Sequence, residues 1–115
     1  MLKSIAPFLL LLIVGCAQEP VNYINVLVER NGMFYTTDKN KPYTGAIFSL
    51  HANGKKRDEG TVKNGKRDGI WTELHKNGQK EFEGNYKDGN SHRLWTYWDE
   101  NGQKKLEKNY ENGGR

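Results

Sequence analysis

Residues 69–89 carry the sequence Gly-Ile-Trp-Thr-Glu-Leu-His-Lys-Asn-Gly-Gln-Lys-Glu-Phe-Glu-Gly-Asn-Tyr-Lys-Asp-Gly, in which two turn-forming dipeptides follow short runs containing aromatic residues. The same pattern recurs 24 residues earlier, at 45–65, and 24 residues later, at 93–113. An Asn-Gly or Asp-Gly pair between strand-like runs is the strongest short-range signal for a β-hairpin. Copies at a fixed period indicate units that pack against their neighbours. We therefore expect an all-β fold, an elongated single-layer antiparallel sheet of consecutive β-hairpin repeats.

The phase of the repeat divides the chain into three units, which we place at 43–66, 67–90 and 91–115. A leading β-hairpin around Asn31-Gly32 is expected at 23–42. Within each unit, the first Asn-Gly pair is predicted to form a tight type I′ turn, and the second turn to be looser. No apolar stripe of helical period crosses these turns, so no helix is expected. The predicted strands are 23–29, 33–37, 46–52, 56–62, 70–76, 80–86, 94–100 and 104–110.

The second unit shows how aromatic residues would stabilise such a thin sheet. A two-residue turn between its strands would place Trp71 opposite Gly84, so that the glycine leaves room for the indole. Trp71, Phe82 and Tyr86 would then share one face, and we assign these three residues to the structure rather than to binding. A bulge in the turn would shift the pairing by one residue and exchange the faces, because side chains alternate along a strand.

The first residues of the chain have the features of a bacterial lipoprotein export signal. An apolar run of ten residues, at 5–14, is too short to cross a bilayer core of about 30 Å but has the length of a signal-peptide core. The run ends in Ile13-Val14-Gly15-Cys16, which resembles a lipobox, and Cys16 is the only cysteine of the chain. Its thiol could take a diacylglyceryl group as a thioether.

We therefore predict a lipoprotein signal peptide at 1–15, cleavage between Gly15 and Cys16, lipidation of Cys16 and a tether at 16–22. Two or more acyl chains would hold such a protein firmly on a membrane. The predicted location is the bacterial cell envelope. Ala17 instead of Asp favours the outer membrane, facing the periplasm, if two membranes are present.

Length and composition exclude several classes of protein. With 115 residues, of which 35% are hydrophobic, the chain is too small for a large enzyme with a buried cleft. A single cysteine excludes a disulfide scaffold. The net charge of +4 is compatible with binding to nucleic acid, but export argues against that partner, and none is predicted.

The motif Gly-x-Trp-x5-Asn-Gly-x4-Glu-x2-Tyr-x-Asp/Asn-Gly, complete in residues 69–89, resembles the MORN-repeat variant of bacterial proteins. The resemblance covers nearly the whole mature chain, and such proteins are commonly grouped as YwqK family antitoxins. It implies an elongated array of β-hairpins that serves as a binding or scaffold surface, sometimes near lipid, and that has no catalytic residues. The chain departs from the pattern at Arg93 and Lys108, which replace Gly, and in the first copy at Ile47 and Asp58.

No catalytic residue, metal site or cofactor is predicted. His51, His75 and Asp99 occupy one column of the repeat, but equivalent positions in successive hairpins lie about 9.6 Å apart, too far for ligands of one zinc ion. The chain has no phosphate-binding Gly-rich loop or nucleophile elbow, and its glycines are turn glycines. The column with one Glu per repeat is better explained by ion pairs with lysines.

Two functions remain open. The first is a non-enzymatic envelope lipoprotein whose repeat surface binds a protein or an envelope component. The second, implied by the resemblance, is an antitoxin or immunity protein that neutralises a toxin by direct binding. In either case we predict that the last copy carries the binding surface, since exposed aromatic residues and an uncovered strand edge attract partners. Its predicted residues are Trp95, Tyr97, Trp98 and Tyr110.

Overall fold

The computed structural model describes residues 19–111. The predicted signal peptide at 1–15, the lipidation site at Cys16 and most of the tether lie outside these residues. Within the described part of the chain, no helix is long and apolar enough to span a membrane.

The structure consists of a seven-stranded sheet and a small N-terminal unit, residues 23–42, that packs against it. Its strands and one helical turn are β1 (Val21–Asn22), α1 (Tyr23–Val26), β2 (Leu27–Arg30), β3 (Met33–Thr36), β4 (Gly45–Leu50), β5 (Lys56–Lys63), β6 (Lys66–Leu74), β7 (Lys80–Lys87), β8 (Asn90–Trp98) and β9 (Lys104–Tyr110).

Strands β4 to β9 lie in the sheet in chain order, and each is antiparallel to the next. On the β4 side the sheet ends with β1, which pairs with β4 in parallel over two residues. Strands β2 and β3 form a separate antiparallel ribbon. The described residues extend over 52 × 35 × 28 Å. The predicted fold class is therefore confirmed.

The predicted first strand at 23–29 is wrong in its first half, where the chain makes the helical turn α1. Asn22 caps this turn, because its side-chain oxygen accepts from the backbone N–H of Ile24 at 3.3 Å. The turn carries Tyr23 from the edge of the sheet to a buried position. Local capping and the burial of one large side chain thus outweigh the strand propensity of this segment.

The prediction of the turns is wrong, because in the first two units the second turn is the tight type I′ turn and the first turn is the longer one. Asn64-Gly65 and Asp88-Gly89 have positive φ at both residues, between 51° and 86°, as a type I′ turn requires. At Asn77-Gly78 only the glycine has positive φ, and the N–H of Gly78 donates to the carbonyl of His75 at 2.9 Å. This is a three-residue turn with a bulge. The bulge makes Leu74 pair with Lys80, but farther from the turn the predicted pairs hold, including Trp71 with Gly84.

One face of the sheet, which we call the aromatic face, carries the two buried indoles. Trp71 and Trp95 are 2% and 3% exposed. An added Cβ at Gly60 would collide with the ring of Trp71, and one at Gly84 with the ring of Trp95. Each indole therefore covers the glycine of the strand that precedes it, and the prediction that Gly84 accommodates Trp71 is wrong.

Strands β6 and β8 each contain a large bulge near their buried tryptophan. In β6, three residues (68–70) lie opposite the single residue Thr61, since Val62 pairs with Arg67 and Gly60 pairs with Trp71. Strand β8 has the same irregularity between His92 and Thr96. Each bulge contains a residue with positive φ, 88° at Gly69 and 63° at Arg93. In both strands this residue stands two positions before the buried tryptophan.

The N-terminal unit covers the aromatic face beside β5 and β6. Phe34, fully buried, meets the Tyr23 ring edge-on at a centroid distance of 5.2 Å. Its backbone N–H donates to the carbonyl of Gly65 at 2.8 Å. The guanidinium of Arg67 lies 5.0 Å from the Phe34 ring centre and 4.6 Å from that of Trp71. The first two repeats are thereby packed against the leading hairpin. The buried hydrophobic core consists of Tyr23, Phe34, Ile47, Val62, Trp71 and Trp95.

Candidate binding surface of the terminal hairpin

The terminal hairpin, β8 with β9, carries all four residues predicted to bind a partner. One of them, Trp95, is buried, which contradicts its assignment to a surface. Its ring lies over Gly84, 5.0 Å from the Tyr86 ring and 6.2 Å from the Tyr110 ring between centroids. Its indole N–H donates to the carbonyl of Asn85 at 3.1 Å. Trp95 thus belongs to the structural core, together with Trp71.

The other three residues are partly exposed but do not form one patch. Tyr97 pairs with Leu106, and Arg93 with Tyr110, so that both tyrosines project on the aromatic face. Trp98 follows Tyr97 in the strand and therefore projects on the opposite face. There the ammonium group of Lys80 lies 5.7 Å from the Trp98 ring centre. The predicted surface is divided between the two faces of the sheet.

Tyr97 and Tyr110 lie next to each other at the margin of the core. The Tyr97 ring lies 5.4 Å from the Phe82 ring between centroids. Burial raises the pKa of Tyr97 above its ordinary value of 10.0, and the neighbouring Tyr110 raises it further. The Tyr97 hydroxyl therefore remains protonated at neutral pH, and it offers a hydrogen bond without charge.

The strand β9 is the most exposed strand of the sheet. Every residue from Lys104 to Asn109 is exposed, and Leu106 is 54% exposed although it is a large apolar side chain. Leu94, on β8, is 46% exposed. In the sheet order of the described residues β9 has a neighbour on one side only. Half of its backbone hydrogen-bonding groups therefore face outward.

Positive charge accompanies this exposed edge. Lys104, Lys105 and Lys108 lie on β9, and the only acidic residue of the strand, Glu107, is 2.7 Å from the ammonium group of Lys104. The ammonium group of Lys108 lies 5.2 Å from the Tyr110 ring centre. Within the part of the chain that the structure describes, the other two lysines of the strand form no ion pair.

A shallow groove of about 500 Å³ adjoins the end of the terminal hairpin. At its wall Arg93 has left-handed backbone, with φ at 63°, where the second copy has glycine. The Nε of Arg93 donates to Nε2 of His92 at 3.1 Å. The sequence marks Arg93 as a departure from the repeat but gives no sign of the groove. The groove is lined by His92, Arg93, Leu94, Asn109, Tyr110 and Glu111.

The histidine column holds neighbouring repeats together. Nε2 of His51 donates to the carbonyl of Leu74 at 2.8 Å, and Nε2 of His75 donates to the carbonyl of Trp98 at 3.0 Å. In the third copy the same column holds Asp99, whose carboxylate accepts from the backbone of its own turn at 2.9 and 3.0 Å. Within residues 19–111, no three His, Cys, Asp or Glu side chains are close enough together to bind a metal ion.

Asp58, which departs from the repeat pattern in the first copy, binds the N-terminal unit through a hydrogen bond with Tyr23. Its buried carboxylate accepts from the hydroxyl groups of Tyr23 and Ser49, each at 2.8 Å. Glu73 is its direct cross-strand neighbour. Burial raises the pKa of Glu73, and the charge of Asp58 raises it further. This cluster attaches α1 to the sheet, because both oxygens of Asp58 are engaged within the protein.

Comparison with known protein families finds the MORN repeat variant at residues 67–88 and 94–112. These segments correspond to the second and third predicted units. The first unit, in which Ile47 and Asp58 depart from the motif, lies outside the matched segments. No curated protein and no solved structure matches the chain. The chain therefore contains MORN repeat variants.

Proposed function

We propose that the protein is a non-enzymatic lipoprotein of the bacterial cell envelope that binds a partner protein through the terminal hairpin. The observation that supports the proposal best is the exposure of Leu106 on β9, beside the partly exposed Tyr97 and Tyr110. Apolar groups around an unpaired strand gain free energy when a partner removes them from water. Repeats of the MORN variant are compatible with such a binding role.

The envelope location rests on the predicted export signal. Lipidation of Cys16 would place the folded domain close to a membrane, since only a few residues separate Cys16 from β1 at Val21. Extended chain spans at most about 3.6 Å per residue, so five residues reach about 18 Å. The partner would therefore be an envelope protein, within reach of a domain held near the membrane surface.

Affinity capture from detergent-solubilised envelopes tests the proposal. The variants are Leu106→Ser on β9 and, as a control, Ile70→Ser on β6, where the apolar side chain is 60% exposed. We expect the wild type and Ile70→Ser to recover the same partner, and Leu106→Ser to lose it without a change in melting temperature. Equal recovery by Leu106→Ser would remove the terminal hairpin from the proposal. Recovery of a toxin that the protein inactivates would make the protein an antitoxin or immunity protein.

A further inference from the structure

The two edges of the sheet differ in whether a further strand can pair with them. On the first edge, β1 pairs with Ile47 and Phe48 of β4, so that this edge is partly covered by the chain itself. On the other edge, β9 has seven residues and, among the described residues, no strand beside it. A strand added to the sheet would therefore pair with β9.

A further repeat of the same kind does not fit beside β9. In the first two units, Gly60 and Gly84 lie beneath the indole of the following unit. The equivalent position in the third unit is Lys108, which pairs with Trp95 and carries a long side chain where an indole of a further unit would need a glycine. The hydrogen bond between units is lost as well, because Asp99 replaces the histidine donor and bonds to its own turn. These two changes exclude a second copy of this repeat as the occupant.

The positive charge of β9 indicates which kind of strand could pair with it. Among residues 19–111, Lys105 and Lys108 form no ion pair, and Leu106 is exposed between them. Cationic side chains on an edge repel strands of like charge and attract acidic ones. Leu106, Lys108 and Tyr110 alternate along β9 and share the aromatic face. An antiparallel strand would therefore present an apolar residue opposite Leu106 and, two residues away, an acidic residue opposite Lys108.

We propose that β9 binds an extended acidic segment of a partner protein as an additional antiparallel strand of the sheet. This inference rests on the proposed function, and it specifies the class of partner and the mode of binding. The backbone of β9 supplies hydrogen bonds that are independent of sequence, and Leu106 and Lys108 select the segment. Lysine at position 108 has two effects, since it excludes another repeat and attracts a carboxylate.

A synthetic peptide tests the mode of binding. The probe is Thr-Val-Thr-Glu-Thr-Val-Thr-Glu with blocked ends, which places alternating Val and Glu on one face and is rich in strand-forming residues. Two control peptides are the same sequence with Lys for each Glu, and the acidic sequence with N-methyl groups on alternate residues, in both registers. Binding is followed by amide chemical shifts of the full chain in detergent.

We expect saturable shifts along residues 104–110 with half-saturation below about 1 mM, loss of binding for the Lys peptide, and loss for at least one N-methylated register. Lys108→Glu should weaken binding of the acidic peptide about fivefold or more. The matched control Lys87→Glu, at the exposed end of β7, should leave binding unchanged.

Three results would overturn the inference. They are the absence of shifts at millimolar peptide, equal binding of the Lys peptide, and equal binding of every N-methylated peptide. If the envelope partner is still lost with Leu106→Ser in any of these cases, the proposed function stands and only the strand-addition mode fails.

Discussion

Gly84→Ala is the substitution that tests the packing of the sheet most directly. The added Cβ would stand inside the ring of Trp95, which is 3% exposed. The indole must either shift within the core or leave it. Overpacking of a core costs about 1–3 kcal/mol, and loss of a buried Trp costs about 3–5 kcal/mol. We therefore expect Gly84→Ala to lower the free energy of unfolding by about 2–4 kcal/mol.

This loss is large for so small a protein. Domains of about 100 residues have total stabilities of about 5–15 kcal/mol, and each kcal/mol moves the melting temperature by about 4–8 °C. Thermal unfolding followed by far-ultraviolet circular dichroism should therefore show a decrease of about 10–25 °C for Gly84→Ala. A decrease below about 3 °C would contradict the close approach of the indole to Gly84.

A double-mutant cycle identifies which indole is involved. When Trp95→Leu has removed the ring, Gly84→Ala should cost less than about 0.5 kcal/mol, which gives a coupling energy of about 2 kcal/mol. The matched cycle uses Trp71→Leu, since Trp71 is the direct cross-strand neighbour of Gly84 but does not cover it. Here the coupling should be near zero. A larger coupling with Trp71 than with Trp95 would show that the indoles lean toward the following strand instead.

Three further predictions concern the polar cluster around Asp58 and the predicted lipidation site. Tyr23→Phe removes one donor from the buried Asp58 and should cost about 1–2 kcal/mol in urea unfolding; Tyr43→Phe, against the same core, is the control, and equal losses would contradict the role of the bond. The pKa of Glu73 is raised above 4.5, so its contribution is complete below that pH and is lost as the pH rises through the raised value. Wild type should therefore gain stability relative to Glu73→Gln on acidification, and a constant difference between them would refute this. Cys16→Ser should abolish labelling by a fatty-acid analogue and release the protein from membranes, and unchanged membrane fractionation of this variant would contradict the predicted lipidation.

The period of the repeat predicts most of the architecture. Asn-Gly and Asp-Gly pairs at fixed spacing place the strands within a few residues, and the cross-strand pairs of the second unit follow, including Trp71 with Gly84. These features depend on local sequence, because turn residues and the alternation of side chains determine them.

The conformation of each turn could not be predicted from the Asn-Gly dipeptide alone. Asn77 has a negative φ, and its side-chain amide donates to the carbonyl of Glu100, in the next unit, at 2.8 Å. Its carboxamide oxygen accepts from the N–H of Gln79 at 3.0 Å. Asn64 adopts the type I′ conformation instead. The same dipeptide thus forms two turns. Asn101-Gly102 makes the same turn as Asn77-Gly78, with Asp99 of its own turn as the hydrogen-bond partner.

The sequence places the candidate site on the terminal hairpin, and the structure buries one of its four predicted residues, Trp95. Trp95 and Tyr97 are alike in hydrophobicity and lie two residues apart on one face, yet the bulge at Arg93 buries only the first. The departures at Arg93 and Lys108 were visible in the sequence. Their meaning required the positions of the indoles, since a lysine at a glycine position matters only if a ring would otherwise cover it.

The contact of each glycine with the indole of the next unit also determines which duplications of a repeat the sheet could accept. The unit at 67–90 brings Trp71 to cover the preceding glycine and offers Gly84 to the following ring. A tandem duplication of this segment would therefore be accepted at both of its junctions, and each extra copy would widen the sheet by two strands, about 9.6 Å. Duplication of the unit at 91–115 would fail at its second junction, because the next Trp would meet Lys108. The sheet can lengthen from its interior, by whole 24-residue steps, but not by copying its last unit.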